Sequence, residues 1–262
     1  MNFLSYFSVK NHLPVYLTVT FLLLLSTGMS AQSDEDPNVL KNIIAKAESN
    51  PQKVELLLAL SHYYLTKTGE DKTDLDNADR INTQAKLLSE RLKYKTGTGK
   101  SILLGAQIYR EKGDSENALE KTKNAIAYSK NNNLTKIQAE SYSELSLYDA
   151  EIEQKAKHKQ LAIQLFKKAG AIEQQATTLK ELGELYSTNE NPDQAESFLK
   201  ASLEVYKSIK YKKLQGVYNL LSEVYTQKGN YPESLKYALL AEKTAISVND
   251  NSLQLSSIYN HV

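Results

Sequence analysis

KELGELYSTNENPDQAESFLKASLEVY, residues 180–206, is repeated in outline by NLLSEVYTQKGNYPESLKYALLAEKTA, residues 219–245. The two stretches align without a gap at an offset of 39 residues. In each stretch, two apolar-periodic segments are joined by a short polar turn, which predicts a pair of helices. A period of this length indicates an array of stacked units, because a lone helix pair cannot bury its apolar face.

Small residues at fixed places predict where the two helices of each unit meet. Gly183 and Ser222 fall in first helices, and Ala195 and Ser234 fall in second helices. Small side chains let the helices approach closely, and a tyrosine one turn later on the first helix fills the gap to the neighbour. The same layout recurs upstream. The positions predicted to pack between helices are Ser61, Tyr64, Ala78, Ala106, Tyr109, Ala118, Ala162, Gly183, Tyr186, Ala195, Ser222, Tyr225 and Ser234.

This pattern resembles the tetratricopeptide repeat (TPR) family, in a long form of about 40 residues per repeat. The resemblance covers residues 40–262 as about five repeats and the start of a sixth, and residues 32–39 are predicted to be a linker. It implies an all-α fold, a right-handed α-solenoid of stacked antiparallel helix pairs with a concave face.

The last residues match the beginning of an earlier repeat. LSSIYNHV, residues 255–262, aligns with LQGVYNLL, residues 214–221. A sixth repeat has therefore begun where the sequence stops. Because the end of a solenoid needs a capping helix with a polar outer face, we expect this chain to be the front part of a longer protein.

The first 31 residues predict export. Lys10 precedes the apolar run Val15–Leu25, and small residues follow around Ser30 and Ala31. This is the layout of a secretory signal peptide. Residues 13–29 also approach the shortest length that spans a bilayer, so an uncleaved membrane anchor is the alternative. In both interpretations the array is exported and is either periplasmic or tethered to the membrane, facing away from the cytoplasm.

The composition favours helices and excludes several functions. Glycine (10) and proline (5) are scarce among 262 residues, which favours helix along most of the chain. The absence of cysteine excludes disulfides, thiolate nucleophiles and cysteine-ligated zinc. A net charge of +1 gives no electrostatic bias toward nucleic acid. Most of the seventeen tyrosines recur at repeat spacing, so they indicate packing rather than stacking on bases.

YKTGTGKS, residues 94–101, resembles a phosphate-binding loop at its GKS end. Tyr94 stands where that loop needs its first glycine, and the preceding segment is helical by period, not a strand. We therefore expect no nucleotide binding. Gly97 and Gly99 are instead expected to end one repeat, with Lys100 opening the next.

Other chemical signatures are incomplete. The acids of GEDKTDLDN, residues 69–77, lack the glycine that a calcium loop requires, so a solvated turn with a helix N-cap is expected. The histidines His62, His158 and His261 lie in different repeats, without a second ligand or a paired acid at suitable spacing on one helix. We expect no catalytic residue, no metal, no cofactor and no enzymatic activity.

The resemblance implies a non-enzymatic scaffold for protein–protein interaction, whose first helices line a concave groove that holds a partner peptide or helix. By alignment, the groove residues would include His62, Gln107, Arg110, Lys180, Glu184, Asn219 and Glu223. This set carries both charges and lacks the lysines and asparagines with which some family members clamp a C-terminal carboxylate. No strong preference for a free C-terminus is therefore expected.

An alternative function follows from the same resemblance. Similar long-form arrays stand behind a signal sequence as the sensory part of bacterial membrane regulators such as sensor histidine kinases. The chain would then be the N-terminal sensory module of a truncated signalling protein. No kinase motif occurs in its 262 residues, so the two hypotheses stay open.

Overall fold

A computed structural model describes residues 37–248. The export segment, most of the linker, His261 and the beginning of the sixth repeat lie outside the described residues. Residues 37–248 form eleven α-helices and no strand, which confirms the all-α prediction. The helices are α1 Pro37–Lys46, α2 Pro51–Thr66, α3 Lys72–Arg91, α4 Lys95–Glu111, α5 Ser115–Asn131, α6 Thr135–Leu145, α7 Ile152–Ala169, α8 Ile172–Thr188, α9 Pro192–Ser208, α10 Gln215–Gln227 and α11 Tyr231–Ser247.

Helices α2 to α11 form five consecutive pairs that stack on one another. The pairs are α2 with α3, α4 with α5, α6 with α7, α8 with α9, and α10 with α11. The second helix of each of the first four pairs also contacts the first helix of the next pair, and α1 packs on α2. Each pair therefore buries its apolar face against its neighbours, as in a solenoid. None of the helices between residues 37 and 248 is long and apolar enough to cross a membrane.

Small residues bring the two helices of a pair together. The Ser61 hydroxyl donates to the Ala78 carbonyl at 2.7 Å, and the Ser222 hydroxyl donates to the Ser234 carbonyl at 2.9 Å. At Gly183 a Cβ atom would lie 3.2 Å from the carbonyl oxygen of Ala195. The first, fourth and fifth pairs therefore have a close contact at the positions that the repeat alignment predicted.

Short polar side chains begin several of the helices. Asp71 accepts a hydrogen bond from the backbone amide of Asp74, whose carboxylate accepts one from the backbone amide of Asp71. This capping box starts α3, and the ammonium group of Lys67 lies 2.7 Å from Asp74. The segment thus contains a helix N-cap, as predicted, but the residues after Asp71 form the first turns of α3 and not a solvated turn.

The expectation for the GTG segment is wrong. Gly97 and Gly99 do not end a repeat, because α4 begins at Lys95 and contains both glycines. A Cβ atom on Gly97 would lie 2.8 Å from Cγ1 of Val54 and 2.6 Å from Oγ of Ser89. Gly97 is therefore needed for the close approach of α4 to α2 and α3.

Lys100, the lysine of the GKS triplet, is engaged within the fold. Its ammonium group forms an ion pair with Glu55 of α2 at 2.7 Å. The Tyr94 hydroxyl donates to the other carboxylate oxygen of Glu55, also at 2.7 Å. These contacts join the first and second repeats, so the residues that resemble a phosphate loop serve helix packing.

The apolar core is unevenly distributed along the array. One cluster of fourteen buried residues joins α1 to α4, and another of twelve joins α8 to α11. Between them lie two clusters of three buried residues each. The first consists of Leu103, Ala125 and Ile137, and the second consists of Ala139, Ala162 and Phe166. The middle of the array therefore has the least apolar packing.

An ion cluster joins the fourth and fifth repeats. Glu196 of α9 accepts hydrogen bonds from Lys200 at 2.6 Å, Lys228 at 2.7 Å and the Tyr225 hydroxyl at 2.7 Å. Partial burial alone would raise the pKa of Glu196. The hydrogen bonds outweigh that effect and lower the pKa to about 2.

This cluster predicts an acid-sensitive contribution to stability. Because the pKa of Glu196 is lower in the folded than in the unfolded chain, its stabilisation is present above an unfolded value of 4.5 and is lost as the pH falls toward 2. We expect Glu196→Gln to lower the free energy of unfolding by about 1 kcal/mol at pH 7, a difference that shrinks toward pH 3. Urea unfolding at a series of pH values measures both quantities. Glu204→Gln is the control, since that glutamate is 74% exposed, and an equal pH dependence in both variants would contradict the prediction.

Candidate partner-binding cleft

The third repeat has a shortened first helix. Helix α6 has 11 residues, whereas α4 and α8 have 17 each. At 1.5 Å per residue, the difference removes about 9 Å from the C-terminal end of α6. The turn of residues 146–151 replaces this part, and α7 begins at Ile152.

The second helix of the same repeat has lysines where its counterpart has apolar residues. Helices α7 and α9 begin 40 residues apart, so Lys155 corresponds to Ala195 and Lys159 corresponds to Leu199. Ala195 and Leu199 are fully buried, and a Cβ atom on Gly183 of α8 would touch Leu199. The part of the first helix that makes this contact is absent from α6. The corresponding face of α7 is therefore free to carry charge.

The same correspondence corrects the repeat alignment of Ala162, which the sequence placed at the position of Ala195. Ala162 is not the counterpart of Ala195, because the 40-residue offset aligns it with Ser202. Ala162 is fully buried and clusters with Ala139 of α6. The longer turn before α7 displaced the sequence alignment of this repeat. Of the other predicted packing residues, Tyr109 and Tyr186 are half-buried and the rest are buried.

A cleft of about 670 Å³ opens at this repeat. Its walls come from the first helices α4, α6 and α8 and from the lysine-bearing face of α7. Gln107, Glu140 and Glu184 contribute from the first helices. Lys155 and Phe166 contribute from α7. The cleft therefore combines apolar surface with charges of both signs.

Two ion pairs hold charged side chains in the cleft walls. Lys159 is nearly buried, and its ammonium group lies 2.7 Å from the Glu181 carboxylate of α8. Glu144 is also buried and accepts hydrogen bonds from Nε of Arg110 at 2.8 Å and from the Tyr148 hydroxyl at 3.0 Å. These four charges are neutralised within the protein.

Other polar groups of the cleft lack close partners. Lys136 lies 3.9 Å from the Glu140 carboxylate. Burial raises the pKa of Glu140, and the charges of Lys136 and Lys100 only partly oppose this effect. The buried hydroxyl oxygen of Ser143 has no hydrogen-bond partner, and Glu184 forms no ion pair with the described residues. The carboxylates of Glu140 and Glu184 are therefore available to a ligand, and a rotation of the Ser143 side chain would add its hydroxyl group.

The turn that forms one edge of the cleft is held by a histidine. His158 Nδ1 lies 2.6 Å from the Asp149 carboxylate, and the imidazole ring stacks on Tyr142 with centroids 6.0 Å apart. The sequence did not predict this pair, since Asp149 lies in the turn and His158 lies on α7. Leu147 of the same turn lines the cleft and is 52% exposed.

The structure places the predicted groove residues in different surroundings. Gln107 and Glu184 line the cleft, and Arg110 contacts it through Glu144. His62, Lys180, Asn219 and Glu223 do not line this cleft.

Lys155 and Lys159 were not predicted from the sequence as lining residues. Their signal in the sequence was a pair of lysines at the second-helix positions that are apolar in the fourth repeat. Among residues 37–248, no three histidine, aspartate or glutamate side chains are grouped as metal ligands.

No family model and no curated protein matches the sequence. Several solved structures are similar in fold. The crystal structure of BtubC (BKLC) from P. vanneervenii is 16% identical, with a TM-score of 0.67 over 82% of this chain and 92% of that chain.

A structure of nearly identical TPR-like repeats assigned to a kinesin light chain of Podospora anserina is 14% identical. It has a TM-score of 0.55 over 78% of this chain and all of that chain. A Rap protein complexed with Competence and Sporulation Factor is 13% identical, with a TM-score of 0.65 over 96% of this chain and 70% of that chain. At these identities the likeness concerns the fold, and the fold of this chain is that of the TPR-like helical repeat proteins.

Proposed function

We propose that the protein is a non-enzymatic scaffold and that its cleft binds a segment of a partner protein. The observation that carries this proposal is the shortened α6, which leaves the Lys155 face of α7 open where the fourth repeat is closed by packing. A packed array has no structural need for such a gap. Apolar surface from Leu147, which is 52% exposed, and unpaired polar groups in one concavity are the usual properties of a binding site.

The size and charge of the cleft favour a protein segment as the ligand. A volume of about 670 Å³ holds a few side chains of a protein segment. The described residues offer no nucleophile paired with a base and no metal cluster, so the cleft supports binding better than catalysis. The Rap protein in complex with Competence and Sporulation Factor gives a precedent for a ligand on this fold.

The location of the scaffold is also a proposal. Residues 1–31 have the layout of a signal peptide, and this supports a scaffold outside the cytoplasm. The alternative is a sensory module of a signalling protein, in which a long-form array likewise stands behind a signal sequence.

Photo-cross-linking tests whether the partner occupies the cleft. A photoreactive residue in place of Leu147, which lines the cleft, should cross-link the partner in the native cell envelope. The same residue in place of Leu239, which is 47% exposed on α11, should give no such product. Glu184→Lys should reduce the yield from position 147 at least tenfold, because it reverses a charge in the cleft.

Glu204→Lys is the matched control, since it makes the same charge change on an exposed face of α9. Its cross-linking yield should stay within twofold of the parent protein. Equal cross-linking from positions 147 and 239, or an equal effect of the two charge reversals, would contradict binding in the cleft.

A further inference from the structure

We propose that the cleft selects a partner segment with a lysine or arginine side chain, whose cationic group binds to one face of α6. This face consists of Glu140, Ser143 and Glu144. The inference rests on the proposed scaffold function and adds the chemical class of the residue that is recognised.

The three polar residues lie together because of helical spacing. Glu140, Ser143, Glu144 and Leu147 are related by steps of three and four residues, which places them on one side of the helix and its continuing turn. All four line the cleft. The face thus presents the Glu140 carboxylate to a ligand, with the Ser143 hydroxyl, the Arg110-bound carboxylate of Glu144 and the apolar side chain of Leu147 next to it.

The negative charge on this face is not fully compensated within the protein. Arg110 is bound to Glu144, and its Nη1 is bound to Glu111. Burial raises the pKa of Glu140, and the charges of Lys136, whose ammonium group lies at 3.9 Å, and of Lys100 do not fully offset this effect. A cationic side chain would therefore be stabilised beside Glu140.

Ser143 adds a hydrogen-bonding requirement. Its hydroxyl oxygen is buried and accepts no hydrogen bond in the described residues. An ammonium group has three donors and a guanidinium group has five, so either could donate to Glu140 and, after a rotation of the serine side chain, to Ser143 as well. A carboxylate has no donor and would be repelled by Glu140. A methylene chain would pack on Leu147 but leave both polar groups unpaired.

The opposite wall limits non-specific attraction. Lys155 and Lys159 of α7 line the same cleft, and Lys159 is held by Glu181. The charged residues that line the cleft are four glutamates and two lysines, and Lys155 repels further cations on the α7 side. The cleft should therefore prefer a lysine or arginine at one position of the ligand, and the total charge of the ligand should matter less.

Selection from a random library tests this preference. A phage-displayed library of random 12-residue peptides is panned against the full chain and against Glu140→Gln. We expect enriched peptides to share one lysine or arginine at a fixed position among apolar residues. Synthetic copies should bind at least tenfold more weakly when norleucine replaces that residue, or when the protein carries Glu140→Gln.

Two further variants distinguish binding at the α6 face from a general effect of substitution on the peptide affinity. Ser143→Ala should weaken binding by about threefold, as expected for the loss of one hydrogen bond. Glu153→Gln, at an exposed glutamate of α7 outside the cleft lining, should leave the affinity within twofold. Thermal unfolding of each variant verifies that the protein is folded.

The outcomes distinguish this inference from the scaffold function. Enriched peptides that bind in the cleft without a basic residue, or that tolerate norleucine, would overturn the cation preference and leave the scaffold function intact. An unchanged peptide affinity for the Glu140→Gln protein would also overturn the cation preference and leave the scaffold function intact. The absence of any enriched peptide would count against both proposals.

Discussion

Replacement of Gly97 by alanine is expected to destabilise the folded chain by about 3 kcal/mol, although alanine is the better helix former. The new Cβ atom would lie 2.6 Å from Oγ of Ser89, 2.6 Å from Cδ1 of Tyr94 and 2.8 Å from Cγ1 of Val54. Val54 and Ser89 are fully buried, so neither can move without displacing α2 or α3. Urea unfolding followed by circular dichroism measures the loss.

Gly105→Ala provides the matched control within the same helix. Gly105 is also buried in α4, but its Cβ atom would meet only Nδ2 of Asn82 at 3.3 Å and Cδ of Lys121 at 3.8 Å. Its gain in helix propensity and its mild crowding should leave stability within about 1 kcal/mol of the parent protein. Equal stabilities for the two alanine variants would show that α4 does not pack on α2 and α3 as described.

Leu199→Ala is expected to cost about 3 kcal/mol, because Leu199 is fully buried in the C-terminal core. Gly183→Ala alone should also be destabilising, since its Cβ atom would lie 2.6 Å from Cγ of Leu199. In the Leu199→Ala background the new methyl group enters the space that the leucine left. Gly183→Ala should therefore cost less in that background than in the parent protein.

A double-mutant cycle measures this relation. We expect a coupling free energy of about 1–2 kcal/mol between Gly183→Ala and Leu199→Ala, from urea unfolding of the four proteins. The coupling should be favourable, so that the double variant is more stable than the sum of the single losses implies. Strictly additive losses would show that the two residues do not share the contact at which α8 meets α9.

The repeat fold was predictable because its signals are local and recur. Gly183 and Ser222 align at a fixed offset, and the structure places both at the contact between the helices of their pair. The role of Gly97 was predicted wrongly because glycine has two structural roles, and a single sequence does not show which of them applies. It ends helices, and it also permits close approach inside them.

The cleft was less predictable because it arises from a missing part of a helix. No glycine or proline in residues 146–151 signals the early end of α6. The turn is held by the pair of Asp149 and His158, which depends on how α7 folds back. Gln107 and Glu184 were found by alignment, since they lie on complete first helices. Lys155 and Lys159 were not predicted because only the first helices were expected to line the groove.

The uneven core has a mechanical consequence. Repeats in a solenoid contact only their neighbours, so the stiffness of each junction depends on the apolar area that joins it. Clusters of fourteen and twelve buried residues stiffen the two ends, whereas the central clusters have three residues each. We expect thermal bending to concentrate at the third repeat, where the cleft lies. A ligand bound in the cleft would change the angle between the two halves of the array. Because both halves are stiff, a small change of this angle would move the ends of the array much farther than the residues at the cleft.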